Sequence, residues 1–185
     1  MPDLVKKITV GVAIFLVAFV ALVSLKEKKT PPPQEQHSSP PVPYNLLNLD
    51  AKERELKALV EKDPQNRDLL FQLGALYFES NRFQQAIEVY KKILTLNDKD
   101  VDTLNELGLA LHYTGRSPEA VEILRKATTF DPSHQRAWLS LGFVLASSGR
   151  TEEAKPALKK AADINPDNDV GKEAQRILGI IKKKG

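Results

Sequence analysis

A 34-residue period is the feature that most constrains this chain. Gly74, Gly108 and Gly142 are spaced 34 residues apart, and each directly follows a leucine. An alanine stands twelve residues after each of these glycines. A unit of this length holds about two short helices and cannot bury its apolar face alone, so successive units must stack. The sequence therefore predicts an all-α solenoid of antiparallel helix pairs.

Helical spacing predicts how the two helices of a unit pack together. At about 100° per residue, one face of the first helix and one of the second are apolar in the first copy. These faces are formed by Leu70, Leu73, Gly74 and Tyr77 in the first helix, and by Ala86, Tyr90 and Ile93 in the second. The small residues Gly74 and Ala86 predict a close approach of the two helices.

Turn residues recur at the same period. Asn81, Gly115 and Gly149 stand where each first helix must end, and we expect a left-handed backbone conformation there. Ser117 and Thr151 follow shortly afterwards and are predicted to cap the next helices.

These positions together resemble the tetratricopeptide repeat family. Trp138 with Leu141 and Gly142, then Ala154 and Pro166, give the W-x2-L-G, A and P pattern of that family in the third copy. The first copy departs most. The resemblance implies a right-handed solenoid with repeats at residues 67–100, 101–134 and 135–168.

Two amphipathic segments flank the repeats. Residues 44–66 overlay the second helix of a repeat and are predicted to form an N-terminal capping helix. Residues 169–185 are predicted to form a C-terminal capping helix. Its apolar stripe comprises Val170, Ala174, Ile177, Leu178 and Ile181.

The N-terminal residues 1–29 are predicted to anchor the protein in a membrane. Ile8 to Leu25 carry no charge and span roughly 27 Å as a helix, close to the hydrocarbon thickness of a bilayer. A cleaved signal peptide is the alternative, but its apolar core is shorter and ends in small residues. Residues 30–43 hold six prolines and are predicted to be an extended linker.

Orientation does not follow from charge, since lysines flank the anchor on both sides. Resemblance to bacterial proteins built in this way implies a single-pass protein of the bacterial inner membrane with its repeats in the periplasm.

Composition argues against several kinds of chemistry. The chain has no cysteine, and His37, His112 and His134 lack the spacing of metal ligands. No glycine-rich phosphate loop is present. We therefore expect neither catalysis nor a metal or cofactor. The basic excess lies around the anchor, so nucleic-acid binding is not indicated.

In the family, first-helix positions 2, 5, 6, 9, 12 and 13 form a concave binding face. Here many of these positions are apolar and others, among them Asn105, Glu106 and Ser140, are polar, which indicates a protein-binding groove with a polar rim. The predicted groove residues are Phe71, Ala75, Phe78, Leu109, His112, Tyr113, Arg136, Leu139 and Phe143. Alternatively, several of them contact neighbouring helices, or a terminal segment covers them.

The chaperone-binding members of the family hold a terminal carboxylate with lysine, asparagine and arginine at these positions. Only Arg136 fits that set, so we do not expect this chain to recruit chaperones in that way.

These observations predict a membrane-tethered adaptor that binds a protein or peptide segment and supports assembly of a membrane or periplasmic complex. One alternative is a scaffold that oligomerises through the groove. Another is an accessory factor in c-type cytochrome maturation.

Overall fold

The structure, a computed structural model, describes residues 44–184. Eight helices make up this part of the chain. They are α1 (Tyr44–Lys62), α2 (Arg67–Glu79), α3 (Phe83–Leu96), α4 (Val101–Tyr113), α5 (Ser117–Phe130), α6 (Gln135–Ser147), α7 (Thr151–Ile164) and α8 (Asp169–Lys184). No strand occurs between residues 44 and 184, so the predicted all-α class is confirmed.

The predicted anchor at residues 8–25 and the linker at residues 30–43 lie outside the described residues. Within residues 44–184, no helix combines the length and the apolar character that crossing a bilayer requires.

Each first helix starts at a side-chain cap. Asn66, Asp100 and His134 precede α2, α4 and α6, and each accepts a hydrogen bond from a backbone N–H in the first turn, at 3.2, 2.9 and 3.1 Å. Such caps satisfy amide groups that have no partner within the helix.

The first helices end as the sequence predicts. Asn81, Gly115 and Gly149 have φ values of 58°, 80° and 79°, which confirms the left-handed turns. This conformation is easily reached by glycine and tolerated by asparagine.

The prediction that Ser117 and Thr151 cap the second helices is wrong. Both are already helical, and the residues before them, Arg116 and Arg150, provide no side-chain cap. Each arginine instead makes a two-pronged ion pair with the glutamate three residues later. Nε donates at 2.8 Å in both pairs.

The predicted packing faces form the core of each helix pair. Leu70, Leu73 and Tyr77 are buried against α3, whose Ala86 and Tyr90 are fully enclosed. A Cβ atom placed on Gly74 would lie 2.5 Å from the Tyr90 ring. The predicted close approach is therefore confirmed.

The helix pairs stack so that successive first helices touch one another. The backbones of α2, α4, α6 and α8 contact in series, whereas within residues 44–184 the backbones of α3, α5 and α7 do not contact one another. Because only the first helices touch in series, the stack is expected to be concave on their side, as in other helical solenoids. We call the side formed by positions 2, 5, 6, 9, 12 and 13 of α2, α4, α6 and α8 the inner face.

Both ends of the stack carry one unpaired helix. At the C-terminal end, α8 packs against both α6 and α7 and buries Ala174, Ile177 and Ile181. At the N-terminal end, Glu53 of α1 accepts hydrogen bonds from the Tyr77 hydroxyl at 3.1 Å and Arg82 at 2.6 Å, and Lys57 lies 2.6 Å away. The bond from Lys57, opposed by burial and reinforced by Arg82 and Tyr77, lowers the pKa of Glu53 to about 2.

Candidate functional site

A cavity of about 280 Å³ lies on the inner face between α4, α6 and α8. Ten side chains from these three helices line it. They are Asn105, Leu109, Tyr113, Arg136, Leu139, Ser140, Phe143, Val170, Glu173 and Ile177. Five of the nine predicted groove residues are therefore brought together here, namely Leu109, Tyr113, Arg136, Leu139 and Phe143.

Aromatic rings extend this surface from the cavity toward α2. Tyr113 is half exposed and stacks on Phe83, with ring centroids 4.9 Å apart and planes 17° apart. The Phe78 ring meets both of them edge-on, at 5.7 Å from Tyr113 and 5.2 Å from Phe83. Predicted residue Phe78 therefore joins the cavity through Tyr113.

His112 links two repeats beside the same surface. Its ring lies 5.6 Å from both Tyr113 and Phe143. The Ser147 hydroxyl donates to a backbone carbonyl, so we assign His112 Nε2–H as the donor to Ser147, at 3.2 Å. Ser117 then donates to Nδ1 at 2.8 Å. Burial lowers the pKa of His112, which favours this neutral arrangement.

Phe71 and Ala75 stay apart from the cavity. The centroid of the Phe71 ring lies 5.9 Å from that of Tyr90, and the Arg67 guanidinium carbon lies over the Phe71 ring, 4.5 Å from its centroid. Ala75 is half buried on α2. The alternative that some of the predicted residues contact neighbouring helices therefore holds for Phe71. It also holds in part for Phe78, Leu109, Leu139 and Phe143, which are partly buried against the core.

Two polar residues of the inner face are buried in the structure. Asn105 is only 2% exposed and Ser140 only 7% exposed. Asn105 donates from Nδ2 to Glu106 at 3.0 Å, while its Oδ1 has no hydrogen-bond partner among the described residues. Glu106 is largely buried, and burial raises its pKa. The charge of Arg136, which lies 3.6 Å away, opposes this shift.

Sequence reasoning missed four residues of this surface. Phe83 opens a second helix, so a template of first-helix positions does not include it. Val170, Glu173 and Ile177 come from α8, where they occupy positions 2, 5 and 9 of a fourth 34-residue period. Extending the period by one unit would have identified these three.

Nothing in the described residues suggests a metal centre. Between residues 44 and 184, no three histidine, aspartate or glutamate side chains converge as a metal ion requires. The chemistry that this face offers is apolar contact, aromatic stacking and a few buried hydrogen-bonding groups.

A curved stack of antiparallel helix pairs with an apolar inner face defines a helical-repeat protein of the solenoid class. Residues 111–178 match a family described as tetratricopeptide repeat, and residues 74–115 match one described as TPR repeat. The repeat region of this chain therefore belongs to the tetratricopeptide repeat family.

Solved structures with this fold include several helical-repeat domains. A crystal structure of MamA is 23% identical, with a TM-score of 0.61 over 76% of this chain and 90% of that chain. The first TPR of Spaghetti (RPAP3), bound to the HSP90 peptide SRMEEVD, is 21% identical, with a TM-score of 0.60 over 66% of this chain and 94% of that one.

The Sgt2 TPR domain from Aspergillus fumigatus is 24% identical, with a TM-score of 0.59 over 64% of this chain and 78% of that chain. At these identities the likeness establishes the fold. A search of curated proteins gives no match.

Proposed function

We propose that this protein is a non-catalytic, membrane-tethered adaptor that holds a segment of another protein on its inner face and supports assembly of a complex. The observation that carries this proposal is the apolar surface running from Phe78 through Tyr113 to the α8 cavity. Tyr113 is exposed on this surface, and Phe78, Leu109, Leu139 and Phe143 are partly exposed. Apolar side chains that line one face in this way are typical of a protein-interaction site.

The geometry suits reversible capture. The helices beneath the surface are packed on a continuous core, so they need little ordering when a partner binds, and less binding energy is lost. The Spaghetti domain, whose structure contains a bound HSP90 peptide, is a precedent for peptide binding by this fold. The partner here is expected to differ, because Phe71, Ala75, Glu106 and Ser140 replace the polar residues of the carboxylate clamp.

The tether belongs to the same proposal. The uncharged run at residues 8–25 would hold the repeats at a bacterial inner membrane, and the proline-rich linker would space them from it on the periplasmic side. Carbonate extraction tests the anchor, and protease digestion of spheroplasts tests the side. Release by carbonate, or protection of the linker until lysis, would contradict the corresponding part.

Site-specific photo-crosslinking tests the use of the inner face. A photoreactive phenylalanine analogue replaces Tyr113 in one variant and Phe130 in a second one. Phe130 ends α5, away from this face. Both rings are well exposed, at 50% and 42%, so accessibility is matched. We expect a discrete adduct in cells from position 113 only, lost when Leu139 is replaced by arginine.

The mass of the adduct separates adaptor from self-assembling scaffold. An adduct of twice the chain mass indicates a second copy, whereas any other discrete mass indicates a different protein. Equal crosslinking from positions 113 and 130, or none from 113, would contradict a specific inner-face site.

A further inference from the structure

The inner face carries an excess of negative charge. Its positions on α2, α4, α6 and α8 hold carboxylates at Asp68, Glu79, Asp102, Glu106 and Glu173. Arg136 is the one guanidinium at these positions, although the whole chain has a net charge of +3. Arg67 lies at the edge and donates to Asp100 from Nε at 2.7 Å and from Nη2 at 2.9 Å, and it also lies 3.3 Å from Asp68 and 3.7 Å from Asp102. Arg176 pairs with Glu173 at 2.6 Å. The carboxylates still outnumber these guanidinium groups. Charge complementarity therefore favours a cationic partner.

A second observation concerns the carboxylate beside the cavity. Asn105, which lines the cavity, donates from Nδ2 to Glu106 at 3.0 Å. Glu106 is largely buried, and Arg136 at 3.6 Å pairs it only incompletely. A buried carboxylate with a distant partner favours a ligand that brings a cation.

The size and lining of the cavity indicate what accompanies that cation. Leu109, Leu139, Phe143 and Ile177 form apolar walls. The volume of about 280 Å³ lies just below the roughly 300 Å³ at which typical small-molecule sites begin, so it suits a single large side chain better than a cofactor.

We propose that the cavity anchors a peptide segment in which a bulky aliphatic or aromatic side chain enters the apolar cavity and an adjacent lysine or arginine pairs with the carboxylates beside it, Glu106 among them. This inference rests on the proposed function and gives the partner its chemistry. The preferred charge of the ligand is opposite to that of a carboxylate clamp, because Arg136 repels a basic ligand instead of holding it.

Three synthetic peptides test the chemistry with the full-length chain in neutral detergent. They are Ac-GSRLKFRSG-NH2, its acidic counterpart Ac-GSELDFESG-NH2, and Ac-GSRSKSRSG-NH2, which keeps the charge and lacks the apolar residues. Each carries a fluorophore, and binding is measured by anisotropy at two salt concentrations. We expect the first peptide to bind at least tenfold more tightly than either of the others, and more weakly at high salt.

Variants assign the effect to the cavity. Glu106→Gln keeps the hydrogen bond from Asn105 but removes the charge, so the affinity for the first peptide should fall about tenfold. Arg136→Gln should raise the affinity for the first peptide several-fold. If Arg136 acted in a carboxylate clamp instead, this variant would weaken binding of the acidic peptide only. Glu122→Gln, on the exposed outer side of α5, is the matched control and should change nothing.

Several outcomes would overturn the inference. These are tighter binding of the acidic peptide, equal binding of the peptide without apolar residues, no binding of any peptide, or weaker binding of the first peptide by Arg136→Gln. The inner-face adaptor would survive each of them if the Tyr113 crosslink persists. Loss of that crosslink refutes the proposed function itself.

Discussion

Replacing Gly142 by alanine tests the close approach on which each repeat is built. A Cβ atom at this position would lie 2.5 Å from Leu158 Cγ, 2.7 Å from Cδ2 and 3.1 Å from the Leu158 backbone nitrogen. Leu158 is fully buried, and in a close-packed core its side chain cannot move aside without displacing its neighbours. Helices α6 and α7 must therefore separate to admit one methyl group.

The magnitude follows from two opposing effects. Alanine gains about 1 kcal/mol over glycine inside a helix. Overpacking a well-packed core costs about 1–3 kcal/mol, and a clash with backbone places Gly142→Ala at the upper end. We expect a net loss of about 1–2 kcal/mol in the free energy of unfolding, which lowers Tm by about 3–8 °C.

Gly179 of α8 provides the matched control. It is helical and exposed, and a Cβ atom there would meet nothing within 4 Å. Gly179→Ala should therefore raise stability by about 0.5–1 kcal/mol through helix propensity alone. Thermal melting of both variants against the parent chain is the assay. A Tm for Gly142→Ala that equals or exceeds that of the parent would refute the close-approach argument.

Three further predictions follow from the fold. Glu53→Gln should lower Tm at pH 7 but not near pH 2. The pKa of Glu53 is about 2 in the folded protein, below its ordinary 4.5, so its contribution to stability is complete above pH 4.5 and is lost as the pH falls toward about 2. Denaturation at both pH values measures it. Gly115→Ala should cost about 1 kcal/mol in urea titration, since φ is positive and no atom lies nearby, while Asn81→Gly should be neutral or stabilising. Leu73→Ala should lower the free energy of unfolding by about 2–5 kcal/mol and Tyr113→Ala by well under half as much, because Leu73 is 95% buried and Tyr113 only 50%. Calorimetry measures both.

The sequence predicts those parts of the fold that depend on local spacing. Leu70, Leu73 and Tyr77 share a helical face by arithmetic alone, and glycine at position 74 signals the helix that crosses it. The left-handed turn at Asn81 is likewise a local requirement. These features recur with the 34-residue period, so each copy supports the interpretation of the others.

The candidate site was less predictable because it depends on contacts between repeats. Asn105 occupies a position expected to be a polar rim, yet packing of the neighbouring helices buries it. Phe83 joins the aromatic row only because the start of α3 lies beside the end of α4. The caps expected at Ser117 and Thr151 fail for a different reason: arginine–glutamate pairs stabilise the helix start at the preceding residue.

The position of α8 makes binding and local unfolding one linked equilibrium. Three of the ten residues that line the cavity belong to this last described helix, which packs against the stack on one side only. When α8 detaches, the site loses a wall, so the apparent Kd rises in inverse proportion to the docked fraction. A ligand should in turn protect the amides of α8 from hydrogen exchange. A fusion partner attached after α8 would bias the same equilibrium, and tags for binding work therefore belong at the other end.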